Sequence, residues 1–180
     1  MACVTNENAT TSKNSEHMDF YPCSVGNTWD YQDSIWQNGN LIEAKSLKIV
    51  IASSEKSGIN LNCESGDGLK LLIRNDSVFE YKTDENGNSI VELAWIKTDG
   101  TAQYDYALDV DVMITRTVTK LNSDYHVANR RYKNCFRYED NCGSYTIIAS
   151  GVGIIESVRK NCNNKNKVIH KRSLTRVNFK

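Results

Sequence analysis

The side chains most able to do chemistry in this chain are its histidines and cysteines, and their spacing fits neither catalysis nor metal binding. The three histidines, His17, His126 and His170, form no HxxxH or HxH pair. The six cysteines include no CxxC pair and no zinc-finger spacing. No serine stands in a GxSxG elbow, and no thiol has a cysteine-protease signature around it. We therefore expect a non-enzymatic protein with no metal and no cofactor; a hydrolase assembled only by folding is the alternative.

Acidic residues supply the remaining candidates for a cation site. Asp105, Asp109 and Asp111 share one face of a predicted strand, with about 7 Å between residues two apart. They could hold a cation or a basic partner, although a solvated face that blocks edge pairing is the more ordinary interpretation. The acidic run 84–88 lacks the glycine and glutamate of a calcium loop, because Ser89 and Trp95 stand at its sixth and twelfth positions. We interpret that run as a hairpin turn.

The charge balance gives no general attraction to polyanions. Lys plus Arg and Asp plus Glu number 22 each, so the formal net charge is zero. No glycine-rich loop precedes a helix, as a phosphate cradle would require. No run of 18 apolar residues is present in the sequence. We expect no nucleic-acid partner, and membrane contact only by an N-terminal lipid anchor.

Residues 1–19 have the composition of a disordered tether, and residues 20–180 that of a single β-domain. The tether is rich in Thr, Ser, Asn and Glu and almost free of large apolar side chains. Cys3 followed by a polar stretch is how a mature bacterial lipoprotein begins, which makes Cys3 a candidate lipidation site. An ordinary disordered N-terminus with an incidental cysteine is the alternative.

The cysteine content favours an oxidising compartment, with buried free thiols in a cytosolic protein as the alternative. Cys135 and Cys142 flank a tight reversal, and strands that leave such a turn bring Cβ atoms within disulfide range. We expect a Cys135–Cys142 disulfide, or a bridge between Cys142 and Cys162. The sequence alone does not fix the connectivity.

The segment 103–119 indicates the architecture. Its even positions are apolar except for Arg116, and its odd positions are mostly polar, which is the period of a strand with one face on a core. Fully extended it would span about 55 Å, so we expect a bend or bulge near Asp109–Asp111. Turn signals recur about every 8–12 residues, and no amphipathic helix stands out. These features predict an all-β fold with little helix: a curved antiparallel meander that forms a half-barrel, an open barrel or a sandwich.

Three short motifs, in order, resemble parts of one set of bacterial proteins. Tyr21 to Tyr31 reads Y-P-x-x-x-G-N-x-W-x-Y, Tyr132 to Tyr138 looks like the strand G-x-F-x-D-C-x-x-V, and 148–157 looks like the closing strand pair Y-A-P-G-V-G-L-V-K. Over residues 20–160 the chain thus resembles uncharacterised secreted proteins and lipoproteins, although Ala149-Ser150 replaces the usual Ala-Pro. The resemblance implies export to the periplasm or cell surface and a sheet akin to the half-barrels of periplasmic lipoprotein carriers. It implies no established activity.

The aromatic residues suggest what the concave side of such a sheet could bind. Each aromatic side chain buries about 150–250 Å², so packing in the core is the ordinary interpretation. The more specific interpretation is that some of them line a ligand-binding groove. The residues expected to line an apolar groove are Trp29, Tyr31, Trp95, Tyr104, Tyr106 and Leu108. Together with the carrier-like resemblance, they point to an exported envelope protein, anchored by Cys3, that binds a lipid or acyl chain. The alternative is a cell-surface interaction or adhesion module that binds an envelope protein or a glycan by its loops.

Overall fold

The computed structural model describes residues 21–74, 77–83, 86–109 and 112–180, and these ranges contain fourteen strands and no helix. The predicted all-β class and curved antiparallel sheet are confirmed, and the sheet is not closed into a barrel. No described element is a helix long and apolar enough to cross a membrane. The strands are β1 (Thr28–Gln37), β2 (Asn40–Ser57), β3 (Asn60–Ser65), β4 (Lys70–Arg74), β5 (Ser77–Thr83), β6 (Ser89–Ile96), β7 (Thr101–Asp109), β8 (Val112–Lys120), β9 (Tyr125–Val127), β10 (Arg130–Tyr132), β11 (Cys135–Asp140), β12 (Tyr145–Ala149), β13 (Gly153–Asn161) and β14 (Asn164–Asn178).

Twelve of these strands form one antiparallel sheet, and its two edge strands follow one another in the sequence. The strand order is β6-β5-β4-β3-β2-β1-β14-β13-β12-β11-β8-β7, and β9 with β10 forms a separate hairpin. The first and last strands pair at the centre, where Trp29 lies opposite Val177. The edges β6 and β7 are joined only by residues 97–100. A sheet with this order must therefore curl until its edges approach each other.

The fold acquires two layers because β2 changes its partner along its length. Its residues up to Val50 pair with β1, and those from Ile51 onwards pair with β3. A bulge between Ile51 and Ser53 bends the strand at this change. Strands β3–β6 thus fold over the concave face of the rest of the sheet and enclose the core. Its largest fully buried side chains are Trp29, Tyr138, Phe136, Leu71, Ile73, Ile147, Ile148, Ile155, Leu174, Val78 and Val118.

The segment predicted to be one long, bent strand is instead a hairpin. β7 ends at Asp109, β8 begins at Val112, and the two strands pair antiparallel with Tyr106 opposite Ile114. A single strand of that length would extend beyond the core, whereas the reversal lets both halves use the same core. Residues 110 and 111 lie outside the described part of the chain.

The β9–β10 hairpin packs on the convex face around a buried carboxylate. Glu156 Oε2 accepts hydrogen bonds from the hydroxyls of Tyr125 (2.6 Å) and Tyr145 (3.1 Å). Lys171 Nζ lies 2.7 Å from the other oxygen. Burial opposes ionisation of Glu156, but the hydrogen bonds from Lys171 and the tyrosines lower its pKa below the usual value. This charged residue is therefore satisfied although it is buried.

One disulfide corrects the predicted pairing. Cys142 bridges Cys162, the second of the two partners expected for it, and Cys135 is a buried free thiol. Cys135 begins β11 opposite Ala149, at the far end of that strand from the turn that holds Cys142. Cys142 and Cys162 instead occupy neighbouring hairpin turns, with their Cα atoms 4.5 Å apart. The expected Cys135–Cys142 bridge is therefore wrong for a geometric reason.

A second disulfide, which the sequence did not pair, joins Cys23 to Cys63. It ties the segment that enters β1 to β3 in the other layer, across 40 residues of chain. On the loop-entropy model, closing a loop of this size stabilises the fold by about 4 kcal/mol, and the 20-residue loop of the first bridge contributes about 3 kcal/mol.

The two edges of the sheet meet by side chains rather than by a strand ladder, at a place we call the seam. Tyr138 OH donates a hydrogen bond to the Ile96 carbonyl at 2.6 Å. Tyr104 OH and Arg116 Nη1 both donate to the Ala94 carbonyl, at 2.7 and 3.1 Å. The donors belong to β11, β7 and β8, and both acceptors belong to the edge strand β6. These bonds satisfy two carbonyls of the edge strand without a further strand.

Replacing Tyr138 with Phe measures how strongly the seam holds. The ring stays in the core, but the Ile96 carbonyl loses its donor, so we expect the free energy of unfolding to fall by about 1–3 kcal/mol. The matched control is Tyr81→Phe, which removes a hydroxyl bonded to the Asn62 side chain and should cost less than about 1 kcal/mol. Urea unfolding monitored by circular dichroism gives both values. Equal losses of unfolding free energy in the two variants would show that the Tyr138 hydroxyl stabilises the fold no more than the Tyr81 hydroxyl does.

Candidate functional site

Three of the aromatic residues predicted to line an open groove, Trp29, Tyr31 and Trp95, form part of the enclosed core. Trp29, Tyr31 and Trp95 are 1 %, 2 % and 8 % exposed. Trp29 Nε1 donates to the Val152 carbonyl at 2.6 Å, and Tyr31 OH donates to the Ile154 carbonyl at 2.9 Å. These bonds tie two aromatic side chains of β1, across β14, to the backbone of β13 and of the turn before it. An acyl chain could reach these side chains only if the layers separated.

Of the other predicted groove residues, the structure describes the side chain of Tyr104 only. Tyr104 is half-buried and belongs to the seam, where its hydroxyl bonds to β6. The side chains of Tyr106 and Leu108 lie outside the described part of the structure, as does Cys3.

The ends of the described chain cover the aromatic core. Tyr21 stacks on Trp95 with a centroid distance of 6.0 Å and an interplanar angle of 3°. Phe179 packs edge-on against Trp29 at 5.6 Å. Gly153 has a φ of +92°, and a Cβ there would lie 3.1 Å from the Tyr21 ring. The close approach and the left-handed backbone both require glycine at this position.

Beyond the core, the concave face changes from apolar to polar. The strand registers place Tyr138, Thr146, Ser157, Arg172 and Asp33 side by side across five strands. Opposite residues of antiparallel strands point to the same face, so these side chains form one stripe, which we call the polar row. The hydroxyls of Thr146 and Ser157 lie 3.3 Å apart within it.

Asp33 anchors one end of the polar row. Although it is 4 % exposed, its two carboxylate oxygens accept hydrogen bonds from Arg172 Nε (2.8 Å) and Nη2 (2.9 Å). His170 Nε2 lies 3.6 Å from the same carboxylate. Burial opposes ionisation, but the hydrogen bonds and charge of Arg172, with a smaller effect of His170, lower the pKa of Asp33 below its usual value. The Arg172 guanidinium also lies 5.6 Å from the Tyr31 ring centroid, which joins the polar row to the core.

A groove of about 660 Å³ borders the polar row and reaches the β11–β12 and β13–β14 turns. Three cationic residues, several hydroxyl groups and the Cys142–Cys162 disulfide contribute to its lining. The residues that matter for the argument are Arg116, Tyr138, Asp140, Cys142, Ser144, Thr146, Ser157, Arg159, Lys160 and Cys162.

The acidic residue of the groove is engaged by the β11–β12 turn. Asp140 Oδ1 accepts the backbone N–H groups of Cys142 and Ser144, both at 2.9 Å. The N–H of Lys160 donates to Ser144 Oγ at 3.0 Å, which links this turn to β13. Arg159, by contrast, is exposed. Hydrogen bonds therefore hold the β11–β12 turn at the border of the groove. The exposed charge beside this turn, that of Arg159, is positive.

The groove offers hydrogen-bonding groups and cations rather than a nucleophile. His170 contacts Asp33, and within the described residues no hydroxyl or thiol contacts this imidazole. Burial raises the pKa of the free Cys135 thiol to about 11, so it is protonated at neutral pH. The described residues contain no group of three or more His, Cys, Asp or Glu side chains that could hold a metal. The arrangement is suited to non-covalent binding of polar groups.

The acidic residues considered as a cation site have separate roles where they are described. Asp105 Oδ1 accepts a hydrogen bond from Thr115 Oγ1 at 3.1 Å, on an exposed part of the β7–β8 hairpin. The side chain of Asp109, all of Asp111 and residues 84 and 85 lie outside the described part of the structure.

Sequence reasoning missed the polar row, although β1 carried one signal for it. Asp33 continues the alternation of Trp29 and Tyr31, which puts a carboxylate on the apolar side of a strand. A buried carboxylate needs a cationic partner, but Arg172 is 139 residues away. Only the pairing of β1 with β14 identifies it.

Replacing Asp33 with Asn tests the anchor of the polar row. Arg172 would lose its carboxylate, and we expect a loss of about 2–3 kcal/mol at pH 7, below the 3–5 kcal/mol of a fully buried pair, because the Arg172 side chain is 29 % exposed. The pKa of folded Asp33 is lowered, so its contribution is present above the unfolded pKa, near 4, and disappears as pH falls past the folded pKa. The difference between wild type and variant should therefore shrink at pH 3.

The matched control is Asp30→Asn, on the same strand and the opposite face, which should change stability by less than about 0.5 kcal/mol. Urea unfolding at pH 7 and pH 3 supplies both comparisons. A wild-type advantage that is as large at pH 3 as at pH 7 would contradict the ion-pair explanation.

Comparisons with known proteins identify the fold but no family. No family model matches the chain, and no curated protein matches it. It is similar to the crystal structure of a Bacteroides fragilis NCTC 9343 protein inferred to be exported, with a YmcC-like fold: TM-score 0.53 and 10 % identity, over 90 % of this chain and 100 % of that one. It is also similar to a Parabacteroides distasonis ATCC 8503 protein inferred to be a lipoprotein: TM-score 0.50 and 10 % identity, over 89 % of this chain and 99 % of that one. At this identity the likeness shows a common fold alone.

Proposed function

We propose that this protein is an exported, non-enzymatic binding protein of the cell envelope. Its two disulfides support an oxidising compartment, since such bridges are rare in the cytosol. The descriptions of the two similar structures, one as exported and one as a lipoprotein, support the same compartment. Attachment to a membrane by lipidated Cys3 completes the proposal.

The point where the chain enters the β-domain determines how the groove would lie relative to an anchor at Cys3. Tyr21, the first described residue, packs against Trp29 and Gly153, at the end of the sheet that holds the β12–β13 turn. The groove reaches the β11–β12 and β13–β14 turns, which successive antiparallel hairpins place at the other end. A chain anchored at Cys3 would thus present its groove away from the point where the β-domain begins.

The ligand that we propose for the groove is an acidic glycan, and the residues that line the groove support this choice. Arg159 and Lys160 supply positive charge, while Asp140 accepts hydrogen bonds from the adjacent turn and Arg116 is engaged at the seam. Hydroxyl groups along the polar row can exchange hydrogen bonds with sugar hydroxyls. An acyl chain, the ligand expected from the sequence, would need the aromatic core, which is enclosed. A polar ligand on the accessible part of the concave face is therefore the better fit.

Titration with a short oligogalacturonate, beside an uncharged maltooligosaccharide, tests the ligand class. We expect saturable calorimetric binding of the acidic sugar only, because Arg159 and Lys160 give the groove positive charge. Arg159→Ala should weaken it about tenfold, equivalent to about 1.4 kcal/mol. The matched control, Arg176→Ala, removes an exposed cation that lies opposite Asp30, outside the groove, and should leave the affinity within about twofold.

The same preparation, titrated with a fluorescent fatty acid, separates the alternatives. Saturable binding of the fatty acid without the acidic sugar would reject the polar groove in favour of a lipophile carrier. Binding of neither probe by folded protein would reject both and favour an interaction module that acts by its loops.

A further inference from the structure

The first half of β2 is a strand with one open hydrogen-bonding edge. Its residues from Asn40 to Val50 pair with β1 on one side. On the other side, pairing with β3 begins only at Ile51, and none of the described strands pairs with the part before it. Residues 41–46 are all exposed. An open edge of this kind is a template for another strand.

The residues of this edge determine which strand could pair with it. Leu41 and Ile42 are 55 % and 59 % exposed, which is a large apolar area for a free edge. Ile42 is an extra residue opposite β1, because Trp36 pairs with Leu41 while Ile35 pairs with Glu43. This bulge makes Glu43 the first residue of the regular edge. Its charged residues are therefore Glu43, Lys45 and Lys48.

We propose that this edge pairs with the same edge of a second copy of the chain, about a two-fold axis at Ala44. In an isologous antiparallel pairing, residues equidistant from the axis lie opposite each other. Glu43 then lies opposite Lys45 of the second copy, and Lys45 opposite its Glu43. Past the Ile42 bulge the register shifts by one residue, so Leu41 of one copy lies opposite Ser46 of the other, and Asn40 opposite Leu47.

Charge selects this register. Within one copy, Glu43 Oε1 and Lys45 Nζ form an ion pair at 2.9 Å, with 46 % and 54 % of the side chains exposed. Residues two apart on a strand share a face, so the dimer converts this pair into a square of four alternating charges. An axis at Glu43 or at Lys45 would instead place two like charges directly opposite, which is destabilising.

The length of the open edge also fits this register. The pairing ends with Asn40 opposite Leu47, three residues before Val50, whose carbonyl accepts the N–H of Gly66 at 2.8 Å. The interface is short, so we expect a reversible dimer with a Kd of roughly 10–100 µM. A two-fold axis perpendicular to the sheet keeps equivalent faces on the same side, so both concave grooves open in the same direction.

Charge exchange gives a direct test by sedimentation velocity at 5 to 500 µM (about two decades around the expected Kd). Wild type should dimerise. Glu43→Lys and Lys45→Glu should each weaken self-association at least tenfold, because each homodimer would contain two like-charged contacts. An equimolar mixture of the two variants should dimerise again, since every cross-strand contact is then between opposite charges. The double variant E43K/K45E should also recover the dimer.

Matched controls make the same charge changes on the part of β2 that β3 covers: Glu55→Lys and Lys56→Glu, both exposed and beyond the open edge. They should leave the dimer unchanged, and circular dichroism should show that all variants are folded. A wild-type protein that is monomeric at 500 µM would overturn the proposal. A dimer that tolerates both single variants, or a mixture that stays monomeric, would overturn it as well.

Discussion

Three hydrogen bonds at the seam are the constraint on which the two-layer structure depends. A meander that starts in the middle of a sheet and ends beside its own first strand has two edges that are neighbours in sequence, here β6 and β7. Tyr138, Tyr104 and Arg116 satisfy the edge carbonyls of Ala94 and Ile96 from the concave face. Because the donors are side chains, the layers can meet without the regular register that a closed barrel would impose.

This type of closure also divides the concave face in two. Where β3–β6 cover it, side chains such as Trp29 and Val78 are almost fully buried. Where the second layer ends, the same strands carry Thr146, Ser157 and Arg172, and the groove begins. The core and the candidate site are thus successive parts of the same strands. The change from apolar to polar residues along each strand marks the boundary between them.

The sequence predicted the class and curvature of the sheet because alternation and turn residues are local signals. Asn38 and Gly39, for example, both adopt the positive φ of the predicted hairpin turn. The same local signal misassigned residues 103–119, because the bulge between Ala107 and Asp109 places even-numbered residues of β7 opposite even-numbered residues of β8. The alternation therefore continues through the reversal, and the hairpin looks like one strand. The partners of Cys142 and Asp33 depend on which hairpins and strands become neighbours. That information lies in the topology, so the spacing left two partners open for Cys142 and indicated none for Asp33.

Two consecutive residues of β14 hold the centre of the sheet from both sides. Lys171 and Arg172 point to opposite faces, as neighbours on a strand must. Arg172 neutralises Asp33 on the concave face, and Lys171 neutralises Glu156 on the convex face. Each cation helps to lower the pKa of its carboxylate despite burial. Because β14 lies between β1 and β13, these pairs fix the three central strands against each other. The polar row crosses those strands, so the fold itself sets its geometry. A site held in this way would bind the ligand that we propose at a reduced entropic cost.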